Sequence, residues 1–306
     1  MRPLRCPLPG GLYEICTRIT GNALLARPSQ EVNDIILGVI GRGQTQAKVD
    51  LHAFVFLSNH YHILLSVQSS QELSNFMRFV NGNIARKLNI INHRDGAFWE
   101  RRFRSIPVAA DRSTQVWRLR YILAHGTKEN LVGRIDDWPG ASSLPWLRDG
   151  KKICGKWTSL TELYRARRRK SYVEVPGAAV TVYELRMTVL PCWRDLPPAA
   201  WRSLVRNIIG EHHAEANEKR ERSGKSPLGA AAVLAADPFS RVMRSKHGRA
   251  PSVLALDPEV RKAMKAELRW RESRWRRAAA VAMALLSGDL RTAAALPAMY
   301  WAVLAV

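Results

Sequence analysis

Residues 12–20 (LYEICTRIT) alternate apolar and polar side chains after a loop that closes in Pro9, Gly10 and Gly11. A period of two is that of a half-buried strand. Ser29 then stands as an N-cap ahead of Val32, Ile35, Ile36 and Val39, whose spacing predicts a helix stopped by Gly41 and Gly43. Residues 49–57 (VDLHAFVFL) and 60–67 (HYHILLSV) are rich in strand formers, and Ser58-Asn59 between them predicts a hairpin. From Gln71 the pattern turns helical: Leu73, Phe76, Met77, Val80, Ile84 and Leu88 share one side until His93-Arg94-Asp95-Gly96 breaks it. Residues 98–108 (FWERRFRSIPV) predict another strand, and Asp111 caps a helix running to about His125, where Gly126 ends it.

The order β-α-β-β-α-β followed by a helix predicts an α+β fold, a ferredoxin-like antiparallel sheet with helices on one face. Past Trp138-Pro139-Gly140 the pattern loosens, and residues 141–160 read as connecting loop. Helical periodicity returns over residues 199–219 and 257–286. A boundary near 150 divides the chain into residues 1–150, the sheet domain, and 151–306, a mostly helical C-terminal region.

Charge adds a partner to this picture. The 306 residues carry 48 Lys and Arg against 26 Asp and Glu, a net of +22. Residues 151–306 hold +15 of that, and their densest run is Arg165-Ala166-Arg167-Arg168-Arg169-Lys170. Such a surface suits a polyanion, nucleic acid above all, through neutralisation of phosphates and release of their counterions. Cys6, Cys16, Cys154 and Cys192 form no CxxC pair, which argues against a disulfide framework or zinc ribbon and fits a reducing cytoplasm. The N-terminus lacks the continuous apolar stretch of a signal peptide, and no segment approaches the ~20 apolar residues of a membrane span. The nearest, residues 293–306, is short and holds Pro297. The expectation is a cytoplasmic protein with no membrane contact.

The chemistry concentrates in Asn59-His60-Tyr61-His62. Side chains at i and i+2 of a strand share a face, so His60 and His62 present two imidazoles side by side while Tyr61 turns away. Two neutral imidazoles suit a divalent cation, although a hairpin with two surface histidines has the same spacing. Trp117, Tyr121 and His125 fall at i, i+4 and i+8 of the helix after Asp111. Tyr121 is positioned to attack a phosphodiester and His125 to complete a metal site. The plain alternative is a core tyrosine followed by a histidine capping the helix C-terminus.

The hairpin LHAFVFLSNHYHILLSV resembles the His-hydrophobe-His hairpin of the single-tyrosine HUH transposases, most closely the branch associated with repetitive extragenic palindromes (REP). Asn59, His60 and His62 match the Met-Pro-Asn-His-hydrophobe-His pattern of that branch, with Leu57 and Ser58 in place of Met and Pro. Phe98-Trp99-Glu100-Arg101-Arg102-Phe103 resembles its Trp-x-x-Arg-aromatic strand, and Arg120-Tyr121-Ile122 the start of its nucleophile motif. Leu131-Val132, Trp138-Pro139 and Ser142-Ser143 resemble the segment that follows.

The resemblance covers roughly residues 10–145 and implies an HUH nuclease domain that cuts and rejoins single-stranded DNA, beside a hairpin, through a 5′-phosphotyrosine. It assigns Tyr121 as nucleophile, His60 and His62 as metal ligands, and Mg²⁺ or Mn²⁺ as cofactor. Where relatives have Asn-Pro-Val, this chain has His125-Gly126-Thr127, so His125 becomes the third candidate ligand. Members occur as monomers and as homodimers, and the sequence leaves both open.

Arg101, Arg102 and Arg104 are candidate DNA contacts, with Arg102 and Arg104 on one strand face, and Trp117 and Trp99 are candidates for base stacking. Trp99 reads equally as core. In the C-terminal region Arg261, Lys262, Lys265, Arg269, Arg271, Arg274, Arg276 and Arg277, with Trp270 and Trp275, suit a DNA-binding accessory helix or a solvated face. The preferred reading is a DNA transposase and single-strand endonuclease; the alternative is an inactive DNA-binding regulator on the same fold. A relaxase or replication initiator fits less well, because the tyrosine lies downstream of the histidine pair and no third histidine adjoins it.

Overall fold

The computed structural model describes residues 10–162, 164, 179–243 and 251–287. The basic run 165–170, Cys6 and the stretch 293–306 lie outside the described residues. Two compact units are present, one running Pro7–Leu254 and one comprising Ala255–Val306 with Met1–Cys6.

The first unit is built on β1 (Gly11–Arg18), α1 (Gln30–Gln44), β2 (Val49–Phe56), β3 (His60–Val67), α2 (Ser70–Ile91) and β4 (Arg104–Pro107). The strands form a sheet of order β2-β3-β1-β4, antiparallel throughout, as the split β-α-β arrangement requires. After it come α3 (Arg112–Leu123), α4 (His125–Lys128), α5 (Leu144–Asp149), β5 (Cys154–Thr158), β6 (Val180–Glu184), α6 (Pro198–Ser223) and α7 (Ala230–Ala235). The second unit contributes α8 (Pro258–Leu286).

Both crossover helices cover one face of the sheet. Ser29 Oγ accepts from Val32 N at 3.1 Å and Ser69 Oγ from Glu72 N at 3.1 Å, so both helices start on side-chain caps. Their apolar stripes, including Val32, Ile36, Phe76 and Val80, bury against Ile15, Tyr61, Ile63 and Leu65. Every residue of β3 is buried, so its other face also needs cover. That cover is a second core, in which Leu12, Val55, Leu64 and Ile106 meet Leu119 and Ile122 of α3 and Trp201 and Val205 of α6.

Four expectations shift. The first concerns α1, which runs through Gly41 and Gly43 to Gln44 instead of stopping there. A Cβ on Gly38 would lie 2.2 Å from the Lys156 carbonyl oxygen, and one on Gly41 2.7 Å from Tyr183 Cβ. These glycines give the β5–β6 hairpin room to lie on the helix. The strand expected over residues 98–108 begins only at Arg104. Ahead of it the chain crosses the end of β1, with Thr20 N donating to the Phe98 carbonyl and Glu100 N to the Arg18 carbonyl, both at 2.9 Å. Gly126 does not end a helix either: the turn breaks at Ala124 and resumes as α4. Residues 141–160, expected as loop, hold α5 and β5, and Trp146 of α5 stacks on Trp201 at 5.1 Å.

The boundary expected near 150 falls inside the first unit, because both sheet edges are closed from farther along the chain. At the β2 edge Thr188 N donates to the Leu51 carbonyl at 2.8 Å, and at the β4 end Leu254 N donates to the Pro107 carbonyl at 2.8 Å. Among the described residues no helix is long and apolar enough to cross a membrane.

Candidate active site

His60 and His62 sit at the start of β3, on the face that α3 covers. Cross-strand partners share a face, so the register Cys16↔His62, Cys16↔Arg104 and Arg18↔His60 puts Cys16, Arg18 and Arg104 on the same side. The break at Ala124 turns His125 in toward them, with its Nε2 2.8 Å from His60 Nε2. The ligand atoms of His60, His62 and His125 lie within 4.8 Å of one another, and all three residues are buried. Tyr121, half-buried on α3, closes the group: its ring centroid is 5.5 Å from that of His62 and 4.9 Å from that of His125.

The hydrogen bonds behind the histidines fix their tautomers. His62 Nδ1 lies 2.5 Å from Glu14 Oε1, an acceptor-only carboxylate, so Nδ1 carries a proton and Nε2 is the nitrogen left for a ligand. His60 Nδ1 lies 2.5 Å from Asn59 Oδ1. Asn59 is itself oriented, donating from Nδ2 to Asn22 Oδ1 at 3.0 Å, and Asn22 donates from Nδ2 to the Val242 carbonyl at 2.7 Å. Asn22 has φ +61°, a left-handed conformation that asparagine tolerates better than most residues. His125 Nδ1 is buried with no partner.

Burial, and then the neighbouring His62, push the His60 imidazolium well below its ordinary range. Burial followed by His62 and His60 does the same for His125, so both rings are neutral near pH 7. For Glu14 burial favours the neutral acid, but the hydrogen bonds and charges of His62 and Arg118 outweigh it and hold the carboxyl below its usual value. Cys16 is pushed up to about 12 by burial and by the Glu14 charge. Its thiol stays protonated, which favours the three histidines over the neighbouring Glu14–Cys16–His62 group as a donor set. The neutral rings of His60 and His125 and the Glu14-oriented ring of His62 fit a divalent cation, which would take the place of any proton held between the facing nitrogens.

Residues 27–125 match the family model described as "Transposase IS200 like". Over that segment the chain is similar to IS200-like transposases. The matched segment contains His60, His62, Tyr121 and His125. The match covers about a third of the chain, and Glu14 and Cys16 precede the matched residues. No curated protein matches this chain. Among solved structures it is similar to a REP-associated tyrosine transposase bound to a REP hairpin, at 17% identity over 47% of this chain and 82% of that one, TM-score 0.39. A protein from Deinococcus radiodurans described as a transposase is 18% identical over 39% of this chain and 94% of that one, TM-score 0.29.

Of the residues picked out from sequence, His60, His62, Tyr121 and His125 meet in one group. Arg104 is exposed on the same sheet face, and Trp117, 37% exposed, stands one turn before Tyr121. Arg101 and Arg102 are exposed but precede β4, so the strand face that Arg102 and Arg104 were expected to share does not form. Trp99 faces the other core, its Nε1 donating to the Asn81 carbonyl at 2.9 Å and its ring edge-on to Tyr61 at 5.3 Å.

Sequence reasoning missed Glu14, Arg118 and Lys128 around Tyr121 and the histidines. Glu14 lies with Arg18 and Thr20 on the polar face of LYEICTRIT, which a half-buried strand turns to solvent; the second core that buries it has no signal in that segment. Arg118 hydrogen-bonds both Glu14 oxygens, from Nη2 to Oε1 at 2.5 Å and from Nε to Oε2, and its guanidinium carbon lies 3.6 Å from the Tyr121 ring centroid. Lys128 Nζ is 4.1 Å from the same centroid and exposed. No local spacing announces these two.

Proposed function

We propose that the protein cuts and rejoins single-stranded DNA beside a hairpin, with Tyr121 as nucleophile and His60, His62 and His125 as ligands of a divalent cation. The observation that carries this reading is the approach of three buried imidazoles to a half-exposed tyrosine inside the segment that is similar to IS200-like transposases. The hairpin comes from the motif resemblance alone.

Tyr121 Oη attacks phosphorus, the bond from phosphorus to the 3′ oxygen breaks, and the net proton transfer is from the phenol to the departing oxygen. The product is a 5′-phosphotyrosine and a free 3′-hydroxyl, and a later attack by a 3′-hydroxyl reverses the step with no external energy source. Arg118, Lys128 and Arg104 supply positive charge around the reacting phosphate. A bound cation would polarise a non-bridging phosphate oxygen. Three nitrogen donors favour Mn²⁺ over Mg²⁺.

The basic C-terminal region is assigned to phosphate-backbone binding through α8. Lys262, Lys265, Arg269 and Arg276 are exposed and, at 100° per residue, fall within roughly a 60° arc of the helix. Two of the four sit in exposed ion pairs, Lys262 with Glu259 at 3.9 Å and Arg276 with Glu272 at 3.4 Å, while Glu267 pairs with Arg271 at 2.6 Å; such surface pairs are weak and yield to a phosphate. Changing the four basic residues to Gln is expected to flatten the salt dependence of duplex binding, by up to ~0.9 in the log–log slope for each phosphate that α8 no longer neutralises. An unchanged slope, read by fluorescence anisotropy, would remove α8 from the interface.

The deciding experiment is a denaturing gel of labelled hairpin oligonucleotides from DNA flanking the gene, incubated with Mn²⁺ or Mg²⁺. A protein-sized labelled band that vanishes in Tyr121→Phe and under chelation is the expected result. DNA binding with no such band in either metal would leave a DNA-binding regulator as the function.

A further inference from the structure

Glu14 is fully buried on β1, outside the segment that matches the transposase family, and yet it touches both halves of the site. One oxygen, Oε1, accepts from His62 Nδ1 and from Arg118 Nη2, each at 2.5 Å, and the other accepts from Arg118 Nε. Arg118 is itself 7% exposed, and its planar guanidinium rests against the Tyr121 ring. A buried guanidinium needs a counter-ion, and a carboxylate gripped by the two-pronged fork cannot rotate without breaking two charge-assisted bonds. The ring of His62 and the ring of Tyr121 are therefore braced, from opposite sides, by one carboxylate.

We infer that Glu14 is a positioning residue shared by the metal-binding and nucleophile halves of the site, orienting His62 directly and Tyr121 through Arg118. The two effects are separable. Contact with His62 keeps a proton on Nδ1 and so leaves Nε2 as the nitrogen that faces His60 and His125; carboxylate partners of this kind raise the basicity of a ligating imidazole. Contact with Arg118 pins a flat cation on the nucleophile's ring. Lysine in that place keeps the charge but has neither the fork nor the plane. The inference rests on the reading of His62 as a ligand and Tyr121 as nucleophile.

Its test uses the full chain and three readouts: Mn²⁺ affinity by calorimetry, the His62 tautomer by ¹⁵N NMR, and the rate of covalent adduct formation at saturating Mn²⁺. Glu14→Gln is expected to weaken Mn²⁺ binding about 10–100-fold, to mix the His62 tautomers, and to slow adduct formation even when metal is saturating. Arg118→Lys is expected to bind Mn²⁺ like the parent chain and to slow the adduct alone. Because Glu14→Gln strands a buried guanidinium, the double variant Glu14→Gln/Arg118→Met restores charge balance, and it must show the same drop in Mn²⁺ affinity. Parent-like affinity and tautomer in both the single and the double variant that carry Glu14→Gln would overturn the inference, and so would a parent-like adduct rate in Arg118→Lys. A parent chain that binds Mn²⁺ but forms no adduct overturns the nucleophile reading, while the metal and NMR readouts still decide the role of Glu14 toward His62.

Discussion

At the scale of residues, the site is a set of neutral bases held in one orientation. His125 is the least constrained, with a buried Nδ1 that has no partner, and it stands where the resembled family has asparagine. His125→Asn substitutes a hard amide oxygen for an imidazole. The expected outcome is weaker Mn²⁺ binding and a smaller preference for Mn²⁺ over Mg²⁺ in the adduct assay, and an unchanged preference would remove His125 from the ligand set.

The same neutral histidines make folding depend on pH. His60 and His125 are held below their ordinary value of 6.5, and His52 is pushed down to about 4, chiefly by burial. Below pH 6.5 the unfolded chain takes up protons that the folded chain refuses, so stability falls with falling pH. For His52 the decline is complete only as pH passes through about 4. The thermal midpoint of chelator-treated protein should drop steadily from pH 7 to pH 5, and a flat profile would contradict the burial of these rings.

At the scale of elements, close approach explains what propensity does not. Gly155 of β5 meets Gly38 of α1 so tightly that a Cβ on Gly155 would lie 2.2 Å from Gly38 N. Gly38→Ala should therefore cost about 1–3 kcal/mol or more as an overpacking substitution, whereas in an open helix it would stabilise. Urea unfolding distinguishes the two signs. The helix that carries Tyr121 begins on Asp111, whose Oδ1 accepts from Thr114 N at 2.7 Å. Asp111→Ala should lower stability by about 1 kcal/mol without abolishing metal binding, since the histidines sit on β3 and α4.

At the scale of the whole molecule, truncation tests where the sheet unit ends. Residues 187–188 and 254 close the sheet edges, and α6 fills the second core. A chain cut after residue 150 should aggregate or resist folding, exposing Leu64, Val55 and Ile122. One cut after Leu254 should unfold cooperatively by circular dichroism, and non-cooperative melting would show the unit to be larger.

Much of this was legible along the chain, because local physics dictates it. Alternation in LYEICTRIT, the Ser29 cap with the stripe from Val32 to Val39, the Ser58-Asn59 turn and the stripe from Leu73 to Leu88 determine five of the first six elements and their order. His60 and His62 must share a face because the period of a strand is two, and helical spacing puts Trp117, Tyr121 and His125 on one stripe. Tertiary structure decided the rest, for reasons with no local signature. Trp99 pulls residues 98–103 out of the expected strand by reaching Asn81 and Tyr61. The glycines of α1 mark contacts with a hairpin more than a hundred residues away. Glu14 and Arg118, 104 positions apart, become partners because β1 lies beside β3 in the sheet and α3 packs across them. Sequence periodicity determines which side of an element is buried, and only the packed fold decides which buried groups meet.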